Sequence, residues 1–354
     1  MLYAGLDYHK RYSLIQAKDR NGVKRKSARI PNEFQAVQEF FEGLDEPCKV
    51  VLEAGYNWGK MYDWLDQIEA VDEVQLAHPF RVKAIAAAQV KTDSVDAGTL
   101  ADLLRADLIP RAHIPSQETR KLKEVLRQRL FLVRIRTMLK NRIHGLLDRY
   151  HVPPPPGSDA FGKRGCDYLA KVCLEGSAKD QLDQDLRLLE TLNAEIRETE
   201  KLLRRSLKGD RRVELLETMP GLGAITAAVL ALEIDDIRRF PDARKLAAYA
   251  GLVPSVHASG GKVHHGRLMK QSNKWIRWAL VEAAWTAVRH DPYFRALYGK
   301  HARKGSQTAI VVTARRLLEV AWHVLAEGRP YEARPVRPAM EGTHGLSPAA
   351  LIKD

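Results

Sequence analysis

The sequence predicts an α/β front domain with a mixed β-sheet, then a long helical hairpin or coiled coil, then a mostly α C-terminal domain. Three observations carry that prediction. Short apolar or alternating runs with tight turns fill the first 80 residues, leucines recur every seven residues between Lys179 and Leu207, and apolar helical runs flank Pro220-Gly221-Leu222-Gly223. The expected units are 1–110, the α/β domain; 111–212, a basic helical linker and coiled coil; 213–330, the C-terminal domain; and 331–354, a tail rich in Pro, Gly and Ala that is expected to be poorly ordered.

Taken in order, LYAGLDYH and YSLIQAKD read as strands, and the Asn21-Gly22 pair turns the second into VKRKSARIP. Phe34, Val37, Phe40, Phe41 and Leu44 then fall at helical spacing. CKVVLEAG is short enough for a buried strand, a helix comes next around Trp58 to Ile68, and EVQLAH is a further strand. The order β-β-β-α-β-α-β, then helix, is that of a mixed sheet with helical cover. From Gln117 to Tyr150, Leu122, Val125, Leu126, Val133, Leu139, Ile143 and Leu146 form one helical stripe, which Pro153 to Pro156 stop. In the next long helix Leu182, Leu189, Ile196 and Leu203 form a seam with Leu186 and Leu207 beside it, while Asn193 and Glu200 interrupt the companion seam. An antiparallel hairpin within the chain and a coiled coil between chains both satisfy that pattern.

With 354 residues and 45% hydrophobic content the chain can build two or three cores, which excludes a disordered protein. No stretch approaches the roughly 18 apolar residues of a membrane span, and Met1 leads straight into a strand-like run. The expectation is a cytoplasmic, nucleoid-associated protein with no membrane partner. Cys48, Cys166 and Cys173 form no CxxC pair, which argues against a disulfide framework and a zinc site. The net charge of +13 is unevenly spread: residues 1–110 hold 14 Lys and Arg against 17 Asp and Glu, residues 111–150 hold 11 against 3, and residues 238–316 hold 16 against 3. Two basic blocks behind a slightly acidic front suit a polyanion such as nucleic acid. Neither block has the wholly apolar opposite face of a membrane-surface helix.

The front domain carries the candidate chemistry. Asp7 ends the first strand in GLDYHK and Glu53 ends the fourth in VLEAG, so a mixed sheet can bring the two together. Asp93 and Asp96, in KTDSVDAGTLADLL, lie three residues apart at a helix start and project on one face. Singly, each suits a structural role: Asp7 in a turn, Asp93 as a cap, Asp96 against the helix dipole. Four converging carboxylates would need cations, and oxygen ligands favour Mg²⁺ or Mn²⁺; two such ions could activate a nucleophile and stabilise the leaving oxygen of a phosphodiester.

In the basic rear, the PGLG turn precedes a helix, and glycines there can leave N–H groups free for a phosphate, as in a helix-hairpin-helix; Gly221 and Gly223 are the candidates, with an ordinary interhelical turn the equal alternative. From Gly251 to Leu280, a Ser259-Gly260-Gly261 turn is surrounded by Lys262, Arg267, Lys270, Lys274 and Arg277, the candidate nucleic-acid contacts. Trp275 and Trp278 are expected in the core of the helix beginning near Asn273, with base stacking the alternative for one of them. His257, His264 and His265 lack zinc-ligand partners at a convincing spacing.

Asp7 in GLDYHK, Glu53 in LEAG, and Asp93 and Asp96 in KTDxxDAxxLAxLLR resemble the Asp-Glu-Asp-Asp set of insertion-sequence transposases with a RuvC-like domain, a pattern shared by related DNA invertases. GLVPS…SGGK…G…K…N…R resembles the C-terminal domain of the same family, with Gln271-Ser272 departing from the usual basic residue and glycine. The resemblance implies an RNase H-like (RuvC-like) fold for 1–110 and catalytic Mg²⁺ ions on the four carboxylates. It also implies Ser259 as a nucleophile that joins covalently to DNA, a composite site with another subunit of a dimer or tetramer, and a structured guide RNA that pairs with donor and target DNA. From the residues alone Ser255 and Ser272 remain rivals to Ser259, and metal activation is the economical route for a weak serine nucleophile. A Holliday-junction nuclease with no covalent intermediate and a non-catalytic nucleic-acid-binding protein are the competing readings.

Overall fold

The computed structural model describes residues 1–85, 93–155, 157, 159–259, 262–269 and 271–333. It divides into two compact units, Met1–Pro115 and the chain from Ser116 onward.

The first unit is a five-stranded mixed sheet ordered β3-β2-β1-β4-β5. Strands β1 (Leu2–Tyr8), β2 (Tyr12–Lys18) and β3 (Lys24–Pro31) form an antiparallel meander; β4 (Cys48–Glu53) and β5 (Val71–Ala77) run parallel to β1. Helices α1 (Phe34–Glu42) and α2 (Trp58–Leu65) link the later strands, and α3 (Pro79–Ile85) and α4 (Asp93–Arg105) come after β5. Strand alternation assigns the two faces. Leu2, Ala4 and Leu6 of β1 with Cys48, Val50 and Leu52 of β4 point to one side, where Val37, Phe40, Phe41, Met61 and Leu65 close a core. Burial there pushes the Cys48 thiol up to about 12, so it packs as a small apolar group. Val51, with Tyr3 beside it, faces the other side, where Leu100, Leu103 and Leu104 of α4 cover the sheet.

Gly5 lets α4 lie this close. A Cβ at that position would sit 2.0 Å from the Ala97 carbonyl oxygen and 2.6 Å from the Ala101 nitrogen. Lys18 fastens the same helix from β2, donating to Asp102 (2.6 Å) and to the Gly98 carbonyl (3.1 Å). The segment after α4 returns to the sheet, the Ala112 N–H donating to the Leu76 carbonyl, so the unit ends at Pro115 rather than at 110.

The second unit is mostly helical. The long helices α5 (Gln117–Arg149) and α7 (Ser177–Ser206) pack antiparallel as a hairpin within the chain, with α6 (Lys163–Lys171) at its far end. Leu182, Leu189, Ile196 and Leu203 are all buried. The two residues that interrupt the companion seam meet arginines of α5: Arg129 donates to Glu200 at 2.7 and 2.9 Å, and Arg136 to Asn193 at 3.3 Å. These partners explain why polar residues stand there, and they fix the register of the pair.

The hairpin base shares a core with the C-terminal helices through Leu126, Leu203 and Leu207, so the hairpin and those helices form one body with no boundary at 212. Around α9 (Ala224–Ile234), buried on nearly every side, stand α8 (Arg211–Glu217), α10 (Ala243–Tyr249), α11 (Lys274–His290), α12 (Pro292–Ala302) and α13 (Ser306–Glu327). Within this core the carboxylate of Glu233 accepts from Asn273 at 2.9 Å and pairs with Lys123 and Arg127 at 3.5 and 3.3 Å, which satisfies a charge that burial would otherwise make costly.

Two further features differ from the sequence-based expectation. The segment expected as a glycine turn in a helical domain is a β-hairpin, β6 (Pro254–Ser259) paired with β7 (Lys262–Leu268). Trp275 and Trp278 are 38% exposed rather than core, because Ile276, Ala279, Leu280, Ala283, Ala284 and Ala287 take the buried face of α11. Of the expected tail, Tyr331 is held in place, its hydroxyl donating to Asp291 at 2.9 Å and its N–H to Thr218 at 2.8 Å; residues from 334 onward lie outside the described residues. Among the described residues no helix is long and apolar enough to cross a membrane.

Candidate active site

The carboxylates occupy the α4 side of the first unit's sheet. Leu6 of β1 pairs in parallel with Leu52 of β4. Asp7 and Glu53 are the next residues along, so they stand side by side on neighbouring strand ends, a strand spacing of roughly 4.8 Å apart along the sheet. Both fall on the face opposite Leu6 and Leu52, which is the face α4 covers. Asp93 and Asp96 form the acidic first turn of α4, at the positive end of its dipole.

The ligating atoms of Asp7, His9 and Asp93 all lie within 4.8 Å of one another. His9 Nε2 is 3.1 Å from Asp7 Oδ2 and 3.2 Å from Asp93 Oδ2. Burial raises the Asp7 carboxyl above its ordinary value, His9 opposes that shift, and the charges of Asp93 and Asp96 add to it. The repulsion felt by Asp7 is what a cation would relieve, and two carboxylate oxygens with an imidazole nitrogen suit a divalent ion.

Three residues around this centre carried no signal in the carboxylate pattern. His9 lies within GLDYHK, two residues beyond Asp7, where a lone histidine suggests no role by itself. Tyr12, at the start of β2, donates its hydroxyl to Asp93 at 2.9 Å and lies against the His9 ring at 4.7 Å between centroids. The Arg29 guanidinium covers the Tyr12 ring as well, 3.8 Å from its centroid. Beside them His9, Lys10, Arg11, Tyr12 and Arg29 line an open concavity of about 660 Å³, cationic where the neighbouring strand ends are acidic.

In the second unit Ser259 ends β6, directly across the ladder from Lys262. Gly260, Gly261 and Lys270 lie outside the described residues, as do the side chains of Ser259 and Lys262. Ser255 is half-buried in β6, and Ser272 donates to the Met269 carbonyl and touches Arg277. Arg267 and Lys274 are exposed. Arg277 is spent on its own loop, donating to the carbonyls of Met269 at 2.8 Å and Ala250 at 3.3 Å.

The PGLG turn divides similarly. Gly221 has φ +83°, and a Cβ there would sit 2.1 Å from the Ala283 carbonyl of α11, so this glycine serves close helix packing. Gly223 caps α9 with open space around it, but its N–H already donates to Thr226 Oγ1 at 3.0 Å.

Comparison with known proteins gives this arrangement its setting. Residues 4–152 match a family model of DEDD transposases of the IS110 type, described as "Transposase". Residues 213–299 match a second, described as "Transposase IS116/IS110/IS902 family". The transposase for insertion sequence element IS1328 of Yersinia enterocolitica is 28% identical over 342 residues, 92% of this chain and 96% of the relative. A probable family 20 transposase of Pseudomonas aeruginosa is 27% identical over 308 residues, 83% of this chain and 88% of the relative. A pilin gene-inverting protein of Moraxella bovis is 32% identical over 129 residues, 35% of this chain and 40% of the relative. Two family models in the right order along one chain, one of them over the carboxylate-bearing sheet, place this protein in the IS116/IS110/IS902 family of insertion-sequence transposases, which are DNA recombination enzymes.

Proposed function

We propose that the chain moves an insertion sequence by breaking and rejoining DNA strands, with an RNase H-like (RuvC-like) catalytic domain in the first unit, Met1–Pro115, and the nucleophilic serine in the second. The observation that carries this reading is the meeting of Asp7 and Asp93 from opposite ends of the first unit's sequence, with Glu53 on the adjoining strand end and Asp96 one helical turn along. Asp7, Glu53, Asp93 and Asp96 would hold Mg²⁺ or Mn²⁺, and two such ions would neutralise charge developing on the phosphodiester oxygens. The cationic concavity formed by Lys10, Arg11 and Arg29 seats a neighbouring backbone phosphate.

Ser259 is the nucleophile: its Oγ bonds to phosphorus as the bond from phosphorus to a deoxyribose oxygen breaks, and the serine proton passes to that departing oxygen to leave a DNA hydroxyl. The reverse step, attack on the phosphoserine by a DNA hydroxyl, rejoins the strands and frees the serine. Its place at the end of β6, paired with Lys262 across the ladder, supports this role, because the end of a hairpin strand is a position from which a side chain can be presented to another subunit's carboxylate centre. Arg267, Lys270 and Lys274 contact nucleic acid, Arg277 and Gly221 hold the surrounding backbone, and the partners are DNA, a structured guide RNA and further copies of this chain.

The test is covalent trapping. Wild-type protein incubated with element-end DNA, guide RNA and Mg²⁺ should yield protein-linked DNA after denaturation. Ser255→Ala and Ser272→Ala should retain the adduct, and Ser259→Ala and Asp7→Asn should lose it. Cleavage without any adduct in the wild type would favour a hydrolytic Holliday-junction nuclease, and an adduct persisting in Ser259→Ala would remove that serine from the mechanism.

A further inference from the structure

His9 Nε2 stands between the two carboxylates that arrive from β1 and α4, at 3.1 Å from one and 3.2 Å from the other. The side chain is 38% exposed, so the ring is held by specific contacts and not by enclosure in a core. What holds it is the turn. The His9 N–H donates to the Tyr12 carbonyl at 3.0 Å, closing the β1–β2 connection. Asn32 donates to the His9 carbonyl at 2.7 Å and accepts from Ser13 at 2.6 Å, tying the turn to β3. Tyr12 then lies against the ring while its hydroxyl fixes Asp93. Backbone hydrogen bonds at the turn and the Tyr12 ring thus pre-set the imidazole in the gap between two carboxylates, the preorganisation that a ligand position needs.

We propose that His9 is a nitrogen ligand of the divalent-ion centre, so that one ion sits on Asp7, Asp93 and His9 and the site favours Mn²⁺ over Mg²⁺. This rests on the reading of the carboxylates as a metal centre and adds to it a donor outside the four acidic residues. The chemistry is selective. Mg²⁺ prefers oxygen donors in a near-ideal octahedron and keeps its water, whereas imidazole binds transition ions, of which Mn²⁺ is the weakest binder and Co²⁺ stronger. One nitrogen in an otherwise oxygen site therefore raises affinity for Mn²⁺ and Co²⁺ far more than for Mg²⁺.

The experiment uses the full chain without DNA and reads the metal directly. Pulsed electron paramagnetic resonance of the Mn²⁺-loaded wild type should show hyperfine coupling to a histidine nitrogen, absent in His9→Gln. By titration, His9→Gln should bind Mn²⁺ more weakly by at least the roughly 10- to 100-fold that loss of an outer-shell partner costs, with a smaller change for Mg²⁺. Asp7→Asn is the parallel arm. If it leaves Mn²⁺ binding untouched, the carboxylate centre itself is refuted. If Asp7→Asn abolishes binding while the wild type shows no nitrogen coupling, or His9→Gln weakens both ions equally, the centre stands and the His9 ligand is refuted.

Discussion

Replacing Gly5 with alanine would test whether the seat of α4 on β1 sets the distance between carboxylates. The added Cβ would lie 2.0 Å from the Ala97 oxygen, 2.6 Å from the Ala101 nitrogen and 2.8 Å from Leu100 Cβ, whereas ordinary contact begins at 3.4 Å. Two of the three atoms are helix backbone, so no side-chain rotation relieves the overlap. The helix must withdraw by about 3.4 − 2.0 = 1.4 Å. Asp93 and Asp96 ride on its first turn while Asp7 and Glu53 stay with the sheet. Overpacking of this kind costs about 1–3 kcal/mol, and misplacing reacting groups by about 1 Å costs on the order of 100-fold in rate. Gly5→Ala should therefore unfold at a lower temperature, bind Mn²⁺ more weakly and cleave element-end DNA about 100-fold more slowly. A folded variant with wild-type metal affinity and cleavage would refute the reasoning, since the acids would then meet regardless of where α4 sits.

The same geometry sets further outcomes. Folding raises the Asp7 pKa, so the stability it contributes is present below the unfolded value and is lost as pH rises through the folded one. Metal-free wild type should lose thermal stability over that acidic interval relative to Asp7→Asn, and Mn²⁺ should restore it at neutral pH in the wild type alone; parallel melting curves with and without Mn²⁺ would contradict this. In the PGLG turn Gly221→Ala should destabilise by roughly 2–4 kcal/mol, through positive φ and collision with Ala283, while Gly223→Ala, with open space around it, costs under about 1 kcal/mol. Equal denaturant midpoints for the two would negate the packing role of Gly221. Arg277→Ala should lower the melting temperature, whereas exposed Arg267→Ala should leave it unchanged and reduce the salt dependence of DNA binding by about one ion. A stable Arg277→Ala protein with a reduced salt slope would return that arginine to the DNA contacts.

How much could be read from the chain alone depends on the range of the signal. Strand alternation in LYAGLDYH and CKVVLEAG, the Asn21-Gly22 turn and the heptad leucines are local patterns, and each became the expected element. They also placed Asp7 and Glu53 at strand ends and Asp93 and Asp96 on one helix face, because position within an element is set by its period. The β6–β7 hairpin was less legible, since SVHASGGKVHHGRL reads locally as a basic glycine turn and its pairing appears only when both strands are aligned.

What the sequence by itself determined is the inventory: a mixed sheet, a helical hairpin, a basic rear and four acids in a family pattern. Tertiary structure decided which of these residues meet. Whether Asn193 and Glu200 interrupt a seam or complete it depended on the arginines facing them across the hairpin. Whether Trp275 and Trp278 lay inside depended on which face of α11 its neighbours claimed. That His9 stands between two aspartates, one of them 84 positions further along the chain, required Gly5 to admit a helix and Asn32 to hold a turn. Secondary structure arises from interactions a few residues apart, whereas a site is made by close contacts between distant segments, and those exist only once the core has packed.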